Sequence, residues 1–190
     1  MKKIFAVAVL AIISTMSLFA QNEQREPGLY NVDGEMYTKL TYITGCTKTS
    51  GFSLGTLLDI GKQKKSYKGA TSDTQCKTQT FVMVIDLEKT AIKQTYKTFD
   101  VFVKSMSPEN MVLVPLEVAK KNREYKEGTR INGFKTKDNK TIGFEWQRIS
   151  DNAFAITTEL PAGEYAFVFK MAQHGVYDFD NIFDFTIVAE

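Results

Sequence analysis

Leu160-Pro161-Ala162-Gly163-Glu164-Tyr165-Ala166-Phe167-Val168-Phe169 decides the fold class. Proline fixes φ and glycine permits a tight backbone, so Pro161 to Gly163 form a turn, and the aromatic and β-branched run behind it is a strand. A tyrosine opening a strand straight after such a turn resembles the tyrosine corner of Greek-key sandwiches, where the phenol hydroxyl bonds back to the upstream backbone. Leu160, Pro161, Gly163 and Tyr165 are therefore read as architectural.

The same rhythm extends outward in both directions. Short β-rich runs recur at Thr129–Phe134, Ile142–Ile149, Ala153–Thr158, Glu164–Met171 and Phe183–Val188, separated by Gly, Asn and Asp. Upstream, Thr80–Leu87 is continuously apolar up to Asp86, which marks a central strand buried on both faces. Leu29–Val32 and Glu35–Ile43 flank Asp33-Gly34 as a hairpin. Lys62–Lys68 carries four lysines and reads as an edge strand, while Phe52–Ile60 has no clean period and fits a buried strand or a short helix. No stretch of the second half reads as an amphipathic helix between successive strands, which favours a β-sandwich over βαβ units. The expected architecture is an all-β Greek-key sandwich, immunoglobulin-like or related, with residues 21–98 and 99–190 forming either two β subdomains or one domain.

Met1-Lys2-Lys3, the apolar run Ile4–Phe19 and the small Ala20 have the order of a secretory signal peptide over residues 1–20. The apolar run is shorter than the roughly 18 residues a membrane-spanning helix needs. The expectation is a protein without a membrane span, secreted or periplasmic after cleavage near Ala20. No cysteine lies near that point, so no lipid anchor is expected. The leader holds two of the 24 basic residues and none of the 22 acidic ones, which leaves the mature charge near zero. Nucleic acid is thereby a poor partner, since phosphate binding draws on surplus Lys and Arg.

Cys46 and Cys76 are the two cysteines, and export makes a disulfide between them the default expectation. Such a bond would remove about 3 to 4 kcal/mol of chain entropy from the unfolded state. Nucleotide-binding glycine loops and the Gly-x-Ser-x-Gly turn are absent, and no cofactor is expected.

Pro27-Gly28-Leu29-Tyr30 before Asp33-Gly34, Met111–Leu116 ahead of Asn122-Arg123-Glu124, Leu160–Phe167 and Val176-Tyr177-Asp178-Phe179 occur here in that order. This order is similar to that of uncharacterised secreted β-rich proteins of Gram-negative bacteria. The resemblance implies an exported β fold and carries no established activity. Two local sets are site candidates. Phe144, Trp146 and Arg148 would share one strand face, a combination able to stack on a sugar or a peptide. His174, Asp178 and Asp180 would share another, with oxygen donors suited to calcium. The leading functional expectation is a non-enzymatic envelope protein binding a protein, peptide or glycan. The rivals are a small hydrolase using two carboxylates, among which Glu164, Asp178 and Asp180 are candidates, and a calcium-stabilised module. Edge strands also allow a homo-oligomer.

Overall fold

The computed structural model describes residues 25–54, 58–85, 91–96, 99–104, 107–131, 134–135, 140–170 and 181–189. The leader read over residues 1–20 lies outside them. The described strands are β1 (Gly28–Asp33), β2 (Met36–Lys39), β3 (Tyr42–Thr44), β4 (Cys46–Leu54), β5 (Leu58–Lys68), β6 (Gln75–Cys76) and β7 (Thr80–Val84). There follow β8 (Ala91–Tyr96), β9 (Phe99–Lys104), a single 3-10 turn at Pro108–Asn110, β10 (Met111–Ala119), β11 (Asn122–Ile131) and β12 (Phe134–Lys135). The chain closes with β13 (Glu145–Ser150), β14 (Ala153–Thr157), β15 (Gly163–Phe169) and β16 (Asn181–Ile187). The protein is all-β.

Two sheets carry the fold. The first has the order β13-β14-β7-β1-β2, so Thr80–Val84 is central, as its apolar run requires. The second runs β3-β16-β15-β10-β11-β5-β4, with β12 beside β11 and β6 parallel to the end of β16. A ribbon of β8 and β9 stands apart from both. Each sheet takes strands from residues 21–98 and from 99–190, so the two halves interleave.

Strand alternation explains how the sheets pack. On β15, Tyr165, Phe167 and Phe169 point one way and join Leu113, Phe183 and Phe185 against Leu29, Phe81, Met83 and Ile156 of the first sheet. Phe167 meets Phe81 edge to face at 5.2 Å and stacks on Phe185 at 5.2 Å. Each such ring removed from water contributes about 1.5 to 3 kcal/mol. On the opposite face, Ala166 and Val168 join Val114, Leu116, Ile182, Tyr67 and Tyr125 in a second core. The central strands of the second sheet are thus apolar on both sides, which accounts for their unbroken runs in the sequence.

The ends of the second sheet cannot lie far apart. β3 pairs with β16 and β4 pairs with β5, yet only Gly45 separates β3 from β4 in the chain. The sheet therefore curls on itself like a barrel. A Cβ at Gly45 would sit 2.6 Å from Cε1 of Tyr67, so the junction requires glycine for the close approach of that buried ring.

Three expectations shift. The first hairpin turns at Gly34-Glu35, one residue later than Asp33-Gly34, because Asp33 pairs with Met36 and Gly34 takes φ +59. Lys62–Lys68 is no edge: β5 lies between β11 and β4, and Lys64 reaches Glu124 at 2.6 Å. The expected Cys46–Cys76 disulfide is not formed, and both thiols are free. Cys46 begins β4 and is exposed, whereas Cys76 on β6 is packed into the inter-sheet core, so the two side chains occupy different environments. Burial pushes the Cys76 thiol up to about 12, far from the thiolate needed for exchange.

Two outcomes are expected. Alkylation of the native protein should label Cys46 alone, with Cys76 reacting only after denaturant is added; equal labelling, or none in denaturant without reductant, would contradict this arrangement. Gly45→Ala should cost about 1 to 3 kcal/mol by overpacking against Tyr67, read as a lower urea midpoint. An unchanged midpoint would show that the junction tolerates a side chain.

Candidate functional site

β13 is an edge strand of the first sheet, and among the described residues no strand pairs with its outer side. It is held on its inner side by β14, with Trp146 opposite Ile156 and Arg148 opposite Phe154. This register puts Trp146 and Arg148 on the face that carries Ile156 into the core. At the rim of the sandwich that face runs out of cover, and Trp146 remains 40% exposed, its ring edge-on to Phe154 at 5.8 Å.

The three residues expected to act together divide their roles. Phe144 turns inward and meets Phe167 edge to face at 5.7 Å, so it anchors the start of β13 on the core. Arg148 donates from Nε to the Ser150 carbonyl at 3.0 Å and from Nη2 to the Asp151 carbonyl at 2.7 Å. Its guanidinium holds the β13–β14 turn. Trp146 is the member left for a ligand.

Where β13 begins, an open cleft of about 380 Å³ is lined by Gly143, Phe144, Glu145, Thr157 and Glu159. Glu145 and Thr157 are cross-strand partners, and Glu159 follows β14 by two residues. Both glutamates are exposed, and among the described residues neither is engaged in a hydrogen bond or ion pair. Sequence reading missed this pair. The cue was present in Glu145 against Thr157-x-Glu159, but it needs the pairing of β13 with β14 to become visible.

A second polar constellation is enclosed instead of open. Arg123 of β11 places Nη1 2.7 Å from Asp184 Oδ2 and 3.7 Å from Glu164 Oε2, and all three side chains are about 95% buried or more. Nη2 donates to the Lys68 carbonyl at 3.1 Å. The Ser72 amide donates to Glu164 Oε2 at 3.0 Å, Ser72 Oγ donates to the Asp184 carbonyl, and Thr186 Oγ1 donates to Glu164 Oε1 at 2.8 Å. The segment from Gly69 to Thr74 is thus strapped over the charges. Burial pushes the Asp184 carboxyl above the usual carboxylate range, while Arg123 pulls it back down. Glu164, a candidate acid for hydrolysis, is a buried structural group here.

His174, Asp178 and Asp180 lie outside the described residues. Among the described residues, no three His, Cys, Asp or Glu side chains are grouped to hold a metal ion. The corner read at Leu160–Tyr165 has Tyr165 Oη donating to the Pro161 carbonyl at 2.9 Å. Gly163 lies under that ring, where an added Cβ would meet the phenol oxygen at 3.3 Å. Gln79, unremarked in the sequence, clamps the approach by donating from Nε2 to the Leu160 carbonyl at 2.8 Å.

Removing Arg123 should expose the cost of burying two acids. Arg123→Met is expected to lower stability by about 3 to 5 kcal/mol at neutral pH. An acid whose folded pKa is raised favours its protonated form in the folded state, so its penalty shrinks as pH falls from the raised value toward the unfolded one. Without Arg123 the Asp184 shift grows, and the deficit of the variant should narrow between neutrality and about pH 4. Urea titrations across that range check it; a deficit independent of pH would contradict the assignment.

No family model, curated protein or solved structure matches this chain.

Proposed function

We propose that this chain is an exported, non-enzymatic module of the cell envelope that holds a protein, peptide or glycan partner along β13 and the adjoining cleft. The observation that carries the reading is the coincidence, at one rim, of an unpaired sheet edge, a half-exposed tryptophan and an open cleft. An edge offers main-chain donors and acceptors, an indole offers an apolar face with a polar tip, and a cleft supplies shape. Export rests on the leader-like order of Met1 to Ala20. Among the described residues no helix is long and apolar enough to cross a membrane.

Of the carboxylates nominated for hydrolysis, Glu164 is the one among the described residues, and it gives this rim no competitor. Glu164 is locked to Ser72 and Thr186 beneath the strap, where a substrate would have to displace three hydrogen bonds to reach it.

Trp146 is the chain's only tryptophan, so its fluorescence reports on this rim alone. Titration with short oligosaccharides and with extended peptides should shift or quench the emission for one class, and Trp146→Ala should lower the affinity at least fivefold as measured by calorimetry, about 1 kcal/mol for a lost aromatic contact. Binding that leaves the emission unchanged and survives Trp146→Ala would place the partner elsewhere.

A further inference from the structure

Resting on the reading of β13 as the binding edge, we infer that its partner is an extended peptide strand that adds to β13 and lays a lysine or arginine side chain into the cleft between Glu145 and Glu159. The outer side of β13, unpaired among the described residues, presents main-chain amides and carbonyls that can be satisfied together only by another extended backbone. A sugar would satisfy them piecemeal.

The cleft adds the side-chain preference. Two exposed carboxylates line it, and no cation among the described residues offsets them. The one cation further along the strand, Arg148, is tied to Asp151 at 3.5 Å and to two turn carbonyls. Negative charge therefore accumulates at the Glu145 end of β13 and is neutralised at the Ser150 end. Phe144 and Thr157 form the remaining walls, which suits the aliphatic stem of a lysine or arginine below its charged head. Trp146, next on the strand, points to the opposite face from Glu145 and offers its half-exposed ring to a neighbouring side chain of the incoming strand.

The other edge of this sheet is less open to such an addition. β2 carries Lys39, which pairs with Glu26 at 2.9 Å, and Arg25 lies over the Tyr37 ring at 3.9 Å. The segment before β1 thus covers that strand with its own charges, and lysine on an edge discourages pairing.

The test uses three synthetic probes and one sugar, followed by Trp146 emission and calorimetry on the full mature chain. The probes are the peptide acetyl-Thr-Val-Lys-Val-Thr-Val-Thr-amide, its Lys→Glu analogue, and the lysine peptide N-methylated at alternate backbone nitrogens; the sugar is maltohexaose. The lysine peptide should bind, the glutamate analogue should bind several-fold more weakly, and N-methylation should abolish binding. Glu145→Gln and Glu159→Gln should each weaken the lysine peptide about three- to fivefold, an effect that fades with salt, while leaving the melting temperature unchanged. Equal binding of the lysine and glutamate peptides, or indifference to N-methylation, overturns the inference. Binding of maltohexaose without any peptide also overturns it and leaves the binding-edge reading standing; silence from every probe removes both.

Discussion

Two carboxylates on adjoining strands of a buried sheet face are the constraint around which this fold is organised. Glu164 of β15 and Asp184 of β16 share the face that also carries Ala166, Val168 and Ile182, and on these two strands the rest of that buried face is apolar apart from Thr186. Unpaired, two ionised groups there would be untenable. Arg123 arrives from β11, with β10 lying between its strand and β15, and its guanidinium reaches across β10 to both acids. A buried ion cluster of this kind adds little net stability compared with apolar packing. Its effect is on register: a slip of one residue along β15 or β16 would turn the acids toward the phenylalanine core and the phenylalanines toward Arg123.

The strap and the curl follow from the same requirement. Arg123 alone leaves carboxylate oxygens to satisfy, and the chain between Gly69 and Thr74 supplies them through the Ser72 amide. That segment leads directly into β6, which runs parallel to β16 and carries Cys76 into the inter-sheet core. Gly45 completes the curl at the other end, beneath Tyr67, whose neighbour Lys68 gives its carbonyl to Arg123. Charge network, strap and strand junction thus belong to one region of the second sheet, and the rim at β13 lies on the first sheet.

How much of this could be read from the sequence depended on whether the information was local. Thr80–Val84 and Gly163–Phe169 are nearly continuous in apolar character because both their faces are buried, and they were legible as strands. The turn at Pro161–Gly163 was legible because proline and glycine act on their own backbone. Lys62–Lys68 was misread as an edge because lysines usually face water, yet β11 covers one side of this strand and Lys65 is buried opposite Tyr125. Arg123 was invisible for the same reason: it sits among Asn122, Glu124 and Lys126, a stretch that looks like solvated charge until strand pairing carries it inside. The disulfide expectation failed because compartment argues that cysteines can pair, while only the fold decides whether they meet.

The contrast between the sheets bears on where a partner can attach. The second sheet brings its end strands together through Gly45 and adds β6 and β12 along its path, so its backbone groups are largely taken up internally. The first sheet stays open and has two edges. At β2, Arg25 and Glu26 from the segment just before β1 cover the strand, Glu26 pairing with its Lys39 and Arg25 lying over its Tyr37 ring. At β13 the chain places Trp146 in the open and commits its nearest cation, Arg148, to the turn beyond. An edge left unguarded on a sheet whose other edge is guarded is a liability for self-pairing. Retaining a half-exposed tryptophan and two carboxylates that are unpaired among the described residues is physically coherent when the edge is reserved for an incoming strand, and the acids then act as the filter that decides which strands can stay.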